Sequence, residues 1–282
     1  MTNIITLKGT VKIIDNKYVI KKKKKELKEI FDYLQSRSFN YFPKILREEN
    51  NNIYYEYIKD INEPREQKII DLIILLSILH HETEIYKEID TDYYKEIYEK
   101  INNQIDETYK YYNNLMDNID KKIYPSPSEY LLSKNISIVY NALNYSKNNI
   151  YNWYKLVKEN KQIKLATIHN NLDISHYIKN EKPYFISWDK TKIDMPIYDL
   201  IKLYKNNYLE FDFVDIIKIY LKKNPLKKEE TILFLTLISI PDKIENKKEE
   251  YNRVINTKKI IDYINKTKDI LKEYSIKQET NK

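Results

Sequence analysis

Cysteine is absent from the 282 residues. Thiol catalysis, disulfides and cysteine-based metal sites are therefore excluded, and a reducing, cytoplasmic setting is the expectation. Glycine occurs once, at Gly9. Loops that cradle phosphate with their backbone need glycine so that the chain can approach the ligand closely. Neither a Walker A loop nor a GxGxxG turn can exist here, and any nucleotide site must work without a glycine-rich loop. Only four histidines are present, His80, His81, His169 and His176, so a histidine-rich metal site would consume nearly all of them, and no metal ligand set is expected. No apolar run approaches the roughly 20 residues of a membrane helix. The longest, Ile69 to Leu79, is interrupted by Asp71 and Ser77 and reads as a buried helix; no membrane partner is expected. Met1 to Gly9 shows no basic segment followed by an apolar stretch, so no secretory signal is expected.

What is present is a globular composition. Hydrophobic residues make up 42% and charged residues 32%, enough for one large or two modest domains with a substantial core. The formal charge is +7. A nucleic-acid binder could carry such a charge, yet basic residues are mostly interleaved with acidic ones along helical stretches, as on solvated faces. Lys, Asn, Ile and Tyr dominate throughout, the signature of an AT-rich genome. Lys21 to Lys25 is the exception and keeps nucleic-acid binding as a third reading.

Periodicity then divides the chain. Val11–Ile13 and Tyr18–Ile20 flank the turn-prone Asp15-Asn16-Lys17 and read as a hairpin. Leu27, Ile30, Phe31 and Leu34 have helical spacing within Glu26–Leu34. Lys44–Arg47 and Ile53–Ile58 read as two further strands. From Glu66 onward the pattern is mainly helical, over Glu66–His81, Asp92–Lys121, a helix capped by Ser128, Asn149–Asn160, Ile197–Tyr204, Phe211–Lys222, Lys228–Ile238 and Glu249–Tyr274. A strand-rich island, Ile163–Ile168 and Tyr184–Trp188, interrupts it. The expected fold is α+β, with a small β-rich lobe over 1–62 and a large helical lobe with a short β insert over 63–282.

Three stretches in order carry a resemblance. Leu165–Ile178 reads LATIHNNLDISHYI, Tyr184–Asp189 reads YFISWD, and Met195–Leu203 reads MPIYDLIKL. These resemble the catalytic loop, the metal-binding strand and the following Pro-x-Tyr-Asp-Leu-Ala helix of aminoglycoside phosphotransferases, choline kinases and spore-coat kinase-like proteins. Upstream, LLSILHHET at Leu75–Thr83 is similar to the family's Leu-x-x-Leu-His helix end, and YVIK at Tyr18–Lys21 stands where its phosphate-binding lysine strand should be. The resemblance implies a two-lobed protein-kinase-like fold, with 165–203 as the catalytic-loop-like region. It implies ATP with Mg²⁺ as the ligands of the inter-lobe cleft. It also implies an ion pair from Lys21 to Glu26 or Glu29, with Lys21 and Glu29 at the nucleotide; the residues alone read equally well as a solvated basic turn over Lys21–Lys25. His169 and Asp199 would support the loop.

The departures fall on the chemistry. Where the family has the catalytic Asp, this chain has Asn171; where it has the Asn ligand, His176; where it has the metal-binding Asp, Ser187. An amide cannot take a proton, a neutral imidazole suits Mg²⁺ poorly, and a serine hydroxyl holds it weakly. The scaffold is kept and the chemistry is gone, which points to a pseudokinase binding a partner protein or a small ligand in the cleft. The alternative is an atypical phosphotransferase for a small hydroxyl-bearing substrate, using Asp173 or Asp189. On a continuous strand Ser187 and Asp189 would face one side. Composition and resemblance fit a low-GC Gram-positive bacterium.

Overall fold

The computed structural model describes residues 4–6, 11–90, 92–245 and 249–280; Gly9 lies outside the described residues. The chain begins with a five-stranded antiparallel sheet and one helix: β1 (Ile4–Thr6), β2 (Lys12–Ile14), β3 (Tyr18–Lys22), α1 (Lys28–Ser36), β4 (Ile45–Glu49) and β5 (Asn52–Glu56). The strand order is β1-β2-β3-β5-β4, so β3 lies in the middle, with Lys21 opposite the buried Ile53 of β5. The rest is mainly helical: α2 (Arg65–Glu82), β6 (Ile85–Glu88), α3 (Tyr93–Asp120), α4 (Pro127–Val157), β7 (Gln162–Ile168), β8 (Tyr177–Lys179), β9 (Pro183–Phe185), β10 (Lys192–Asp194), α5 (Ile197–Asn207), α6 (Phe213–Leu221), α7 (Lys228–Ser239) and α8 (Glu250–Thr280). This is a two-lobed α+β fold of the kinase-like kind.

By compactness the chain forms two units. One gathers Met1–Tyr86, Lys164–Asn206 and Ile216–Pro225; the other gathers Lys87–Ile163, Asn207–Asp215 and Leu226–Lys282. The second is a helical body. Along α3 the buried residues are Tyr94, Ile101, Ile105, Thr108, Tyr112 and Ile119, separated by three, four or seven positions, which is one face of a helix. They stand with the buried Leu143, Ile150 and Trp153 of α4 and Phe234 of α7. The Tyr112 hydroxyl donates to the Asp242 carbonyl at 2.7 Å, so its polar end is satisfied inside the body. The sequence pattern breaks this region into two helices capped at Ser128. In the structure α4 is continuous, because nothing between Tyr130 and Asn149 stops a helix. Its N-cap is Ser126, with Pro127 at the first helical position and Glu129 accepting from the Ser126 N–H at 2.8 Å. Ser128 instead donates its backbone N–H to Glu250 at 2.7 Å.

The first unit contains every residue of interest for chemistry. Its turns show how a chain with one glycine closes tight corners. Left-handed φ is taken by Asn16, Asn50, Asn51, Asn62 and Asn170, and by Asp15, Ser38 and Ser187. Asn and Asp tolerate this region because their short polar side chains bond locally. Asp15 and Asn16 both have φ 51°, and the Lys17 N–H returns to the Ile14 carbonyl at 2.9 Å. That is a hairpin turn whose twist matches its strands. Asn50 and Asn51, φ 50° and 60°, do the same between β4 and β5. Replacing Asn51 with Ala, which resists positive φ, is expected to cost about 1 kcal/mol, while Asn51→Gly costs nothing or stabilises. Urea midpoints at unchanged m-value check both.

Candidate functional site

The site is organised from α5. Pro196 precedes this helix and Asp199 lies in its first turn, with 0% exposure. The Asp199 carboxylate accepts the backbone N–H of His169 at 2.7 Å and of Asn170 at 2.7 Å. It also accepts Nε2–H of His80 at 3.3 Å, while His80 Nδ1 meets the Tyr220 hydroxyl at 2.7 Å. Burial alone would raise the carboxyl's pKa, but the His80 hydrogen bond, the nearby imidazoles and the loop N–H groups hold it below the ordinary value. Two more residues of the same helix grip the loop. Lys202 donates to the Asn170 carbonyl at 2.9 Å, and Asn206 to the Leu172 carbonyl at 3.1 Å. Positions 199, 202 and 206 share one helical face, so a single face of α5 holds loop 169–172 at four backbone groups. Asn170, at φ 54°, makes the turn that presents them.

His169 sits at the end of β7, wholly buried. Its Nε2–H donates to the Ile186 carbonyl at 2.8 Å, and burial holds its imidazole down to about 4. It is therefore neutral at pH 7. The ring packs on Trp188, centroids 5.1 Å apart. Trp188 also meets Phe31, Phe39, Phe42 and Phe185 at 6.0–6.2 Å and donates Nε1–H to the Phe185 carbonyl at 2.8 Å. This aromatic cluster anchors segment 185–190 beneath the sheet.

The substituted positions lie on the partly exposed side. His176 Nδ1–H donates to the Asn171 carbonyl at 2.6 Å, and the Ile186 N–H returns to the His176 carbonyl at 2.9 Å. Ser187 is half-buried and accepts from Lys21 Nζ at 2.9 Å. Asp189 is half-buried nearby, and its charge works against the burial that pulls Lys21 below the usual lysine range. Asp173 is spent in its own turn, accepting from Ser175 N–H at 2.8 Å and Ser175 Oγ–H at 2.6 Å.

Two readings from sequence require correction. The strand expected through Trp188 stops at Phe185: Ser187 adopts φ 68° and Trp188–Lys190 form a short 3-10 turn. The alternation that would align Ser187 with Asp189 does not apply. Lys21 makes its bond to Ser187 instead of an ion pair with α1; Glu29 is exposed and Glu26 pairs with Lys23 at 2.6 Å, which also takes Glu48. His80, near the end of α2, bonds Asp199 and Tyr220. Sequence reasoning also missed Lys202 and Asn206, whose signal was polar spacing from Asp199 on an otherwise largely apolar helix. It missed Lys25, which donates to the Thr191 carbonyl. Lys21, Lys23 and Lys25 are thus all engaged within the chain.

This donor set does not fit Mg²⁺. Around the cleft Ser187 Oγ faces an ammonium, the Asn171 backbone carbonyl accepts from His176, and Asp173 is turned into its own loop. Among the described residues no group of three or more His, Asp or Glu side chains could hold a metal ion.

The geometry can be set beside solved structures. An aminoglycoside phosphotransferase from Alicyclobacillus acidocaldarius matches with TM-score 0.72 and 9% identity, over 99% of this chain and 92% of that one. The fold is that of an aminoglycoside phosphotransferase. A spectinomycin phosphotransferase in complex with ADP and spectinomycin matches with TM-score 0.51 and 12% identity, over 95% and 93% of the two chains. Its AMP-bound form matches with TM-score 0.52 and 13% identity, over 85% and 80%. No protein-family model matches the sequence, and no curated protein sequence matches it. Among the described residues no helix is long and apolar enough to cross a membrane.

His169 gives the phosphotransferase fold a measurable acid sensitivity. Its folded value of about 4 lies below the ordinary 6.5, so the unfolded chain binds the extra proton between those values. The stabilisation is complete above pH 6.5 and is lost as pH falls toward 4, by about 3 kcal/mol. Urea midpoints from pH 7 to 4.5 should fall accordingly, and His169→Asn, though less stable at pH 7, should show a shallower slope.

Proposed function

We propose that this chain is a catalytically silent protein of the phosphotransferase fold, which binds a small ligand or a partner protein in the cleft between β3 and segment 169–190 without moving a phosphoryl group. The observation that carries this reading is the Lys21–Ser187 hydrogen bond of 2.9 Å. Transfer needs an acid to orient the attacking hydroxyl and oxygen ligands to hold a divalent cation against the phosphates. At the positions where the resemblance puts those groups stand an amide, an imidazole and a hydroxyl, and the hydroxyl is already bonded to an ammonium.

A second reading rests on Asp189, the carboxylate beside Lys21. In it the chain is an atypical phosphotransferase and Asp189 serves in a new role. Nucleic-acid binding has weaker support, because Lys21, Lys23 and Lys25 are engaged within the chain; steeply salt-dependent binding would be its mark.

Incubation with γ-labelled ATP, Mg²⁺ or Mn²⁺, and a panel of aminoglycoside and small-alcohol acceptors decides between the first two. The expected outcome is no labelled product and no ADP above the protein-free blank. Transfer that disappears in Asp189→Asn would replace the first reading with the second.

A further inference from the structure

A cavity of about 740 Å³ opens between α1 and β4, lined by residues from Glu26 to Glu48. That volume is in the range of small-molecule sites. The local structure explains the space. β4 is an edge strand, and its pairing with β5 skips Leu46; such a bulge bends the strand that carries it. On the helix side Lys28, Phe31, Asp32 and Gln35 share one face of α1. The floor is apolar. The rings of Phe31 and Phe42 stack with centroids 4.1 Å apart, and half-buried Ile45 joins them in the lining.

The rim is charged, and most of its charges are matched. Glu26 and Glu48 both bond Lys23. Arg47 pairs with Glu49 at 3.8 Å and lies over the Tyr54 ring. Lys28 and Asp32 are one turn apart on α1, so their charges offset each other. Lys44 is left: it is exposed and has no ion pair among the described residues. The floor is also tied to segment 185–190. Phe31 and Phe42 meet Trp188 edge-on at 6.0 and 6.2 Å, and Trp188 packs on His169 and follows Ser187 in the chain. A ligand that shifts either phenyl ring changes the surroundings of Trp188.

We propose that the cavity between α1 and β4 is a second ligand site, for a small aromatic carboxylate whose rings meet Phe31 and Phe42 and whose carboxylate meets Lys44, and that its occupancy is felt at Trp188. Aromatic rings pair well in offset or edge-on geometry, and a carboxylate supplies the partner that Lys44 lacks. The site is separate from the cleft, and stands whether or not the cleft transfers phosphate.

Titration calorimetry of the full chain with biphenyl-4-acetate, and with the primary alcohol and primary amine on the same frame, tests it. The acid should bind about two- to fivefold tighter than the alcohol, the range for an exposed ion pair, and the amine should bind weakest. Lys44→Glu should invert the order of acid and amine and leave the alcohol unchanged; the milder Lys44→Gln should bring the acid to the level of the alcohol. Gln35→Phe, which fills the cavity from an exposed position, should abolish binding of all three. Melting curves without ligand establish that these variants fold. The other tryptophan, Trp153, lies in the helical body, so Trp188 emission is read in Trp153→Phe, and should shift when the acid binds. If that variant does not fold, the emission change of the natural chain that Gln35→Phe removes is read instead. No binding of the acid, an amine that binds as tightly as the acid, acid affinity unaltered in Gln35→Phe, or binding with Trp188 emission unchanged overturns the proposal.

Discussion

A buried carboxylate is expensive unless hydrogen bonds and charge replace the water it has lost. Asp199 meets that demand with the N–H groups of His169 and Asn170 and the imidazole of His80. The requirement runs both ways. The carboxylate can stay charged only if the loop is folded around it, and those two N–H groups find their acceptor in it. Everything above it inherits the constraint. Asn170 must hold its left-handed turn, Lys202 and Asn206 must reach the loop carbonyls, and His169 must lie back against Trp188. The positions of Asn171, His176 and Ser187 relative to Lys21 follow from that arrangement.

Much of this was legible in the sequence. Alternation and turn residues located β2, β3, β4 and β5, and helical spacing located α1 to α3 and α5 to α8. Motif order located the loop and the helix that supports it. What failed did so for physical reasons. The run Tyr184–Trp188 has the β-branched and aromatic content of a strand, but the left-handed backbone at Ser187 ends it, and no local pattern encodes that turn once glycine is no longer its marker. Similarly, Lys21 sits five residues from Glu26 and eight from Glu29, so a local ion pair looks plausible in one dimension. The partner it takes is 166 residues away, and the nearer lysine, Lys23, has claimed Glu26.

The scarcity of glycine and the form of the site are connected. With no glycine among the described residues to let backbone N–H groups crowd a ligand, the cleft is lined by side chains. Those side chains then need rigid support. Segment 185–191 receives it from two directions: Trp188 is locked in the aromatic cluster below, and Lys21 and Lys25 reach the segment from the sheet and the chain that follows it. A group fixed before its ligand arrives loses little conformational entropy on binding.

Burial separates what the site keeps from what it has changed. Asp199, His169, His80 and Trp188 are buried and interlocked, and altering any of them would leave an uncompensated polar group or a cavity. Asn171, His176 and Ser187 are half-exposed, and their replacement disturbs no core. A cluster of carboxylates opposite Lys21 would hold a metal at the cost of mutual repulsion whenever the metal left. A hydroxyl and an amide carry no such cost. The result is a cleft in which a hydroxyl, bonded to the ammonium of Lys21, stands where the resemblance puts a carboxylate.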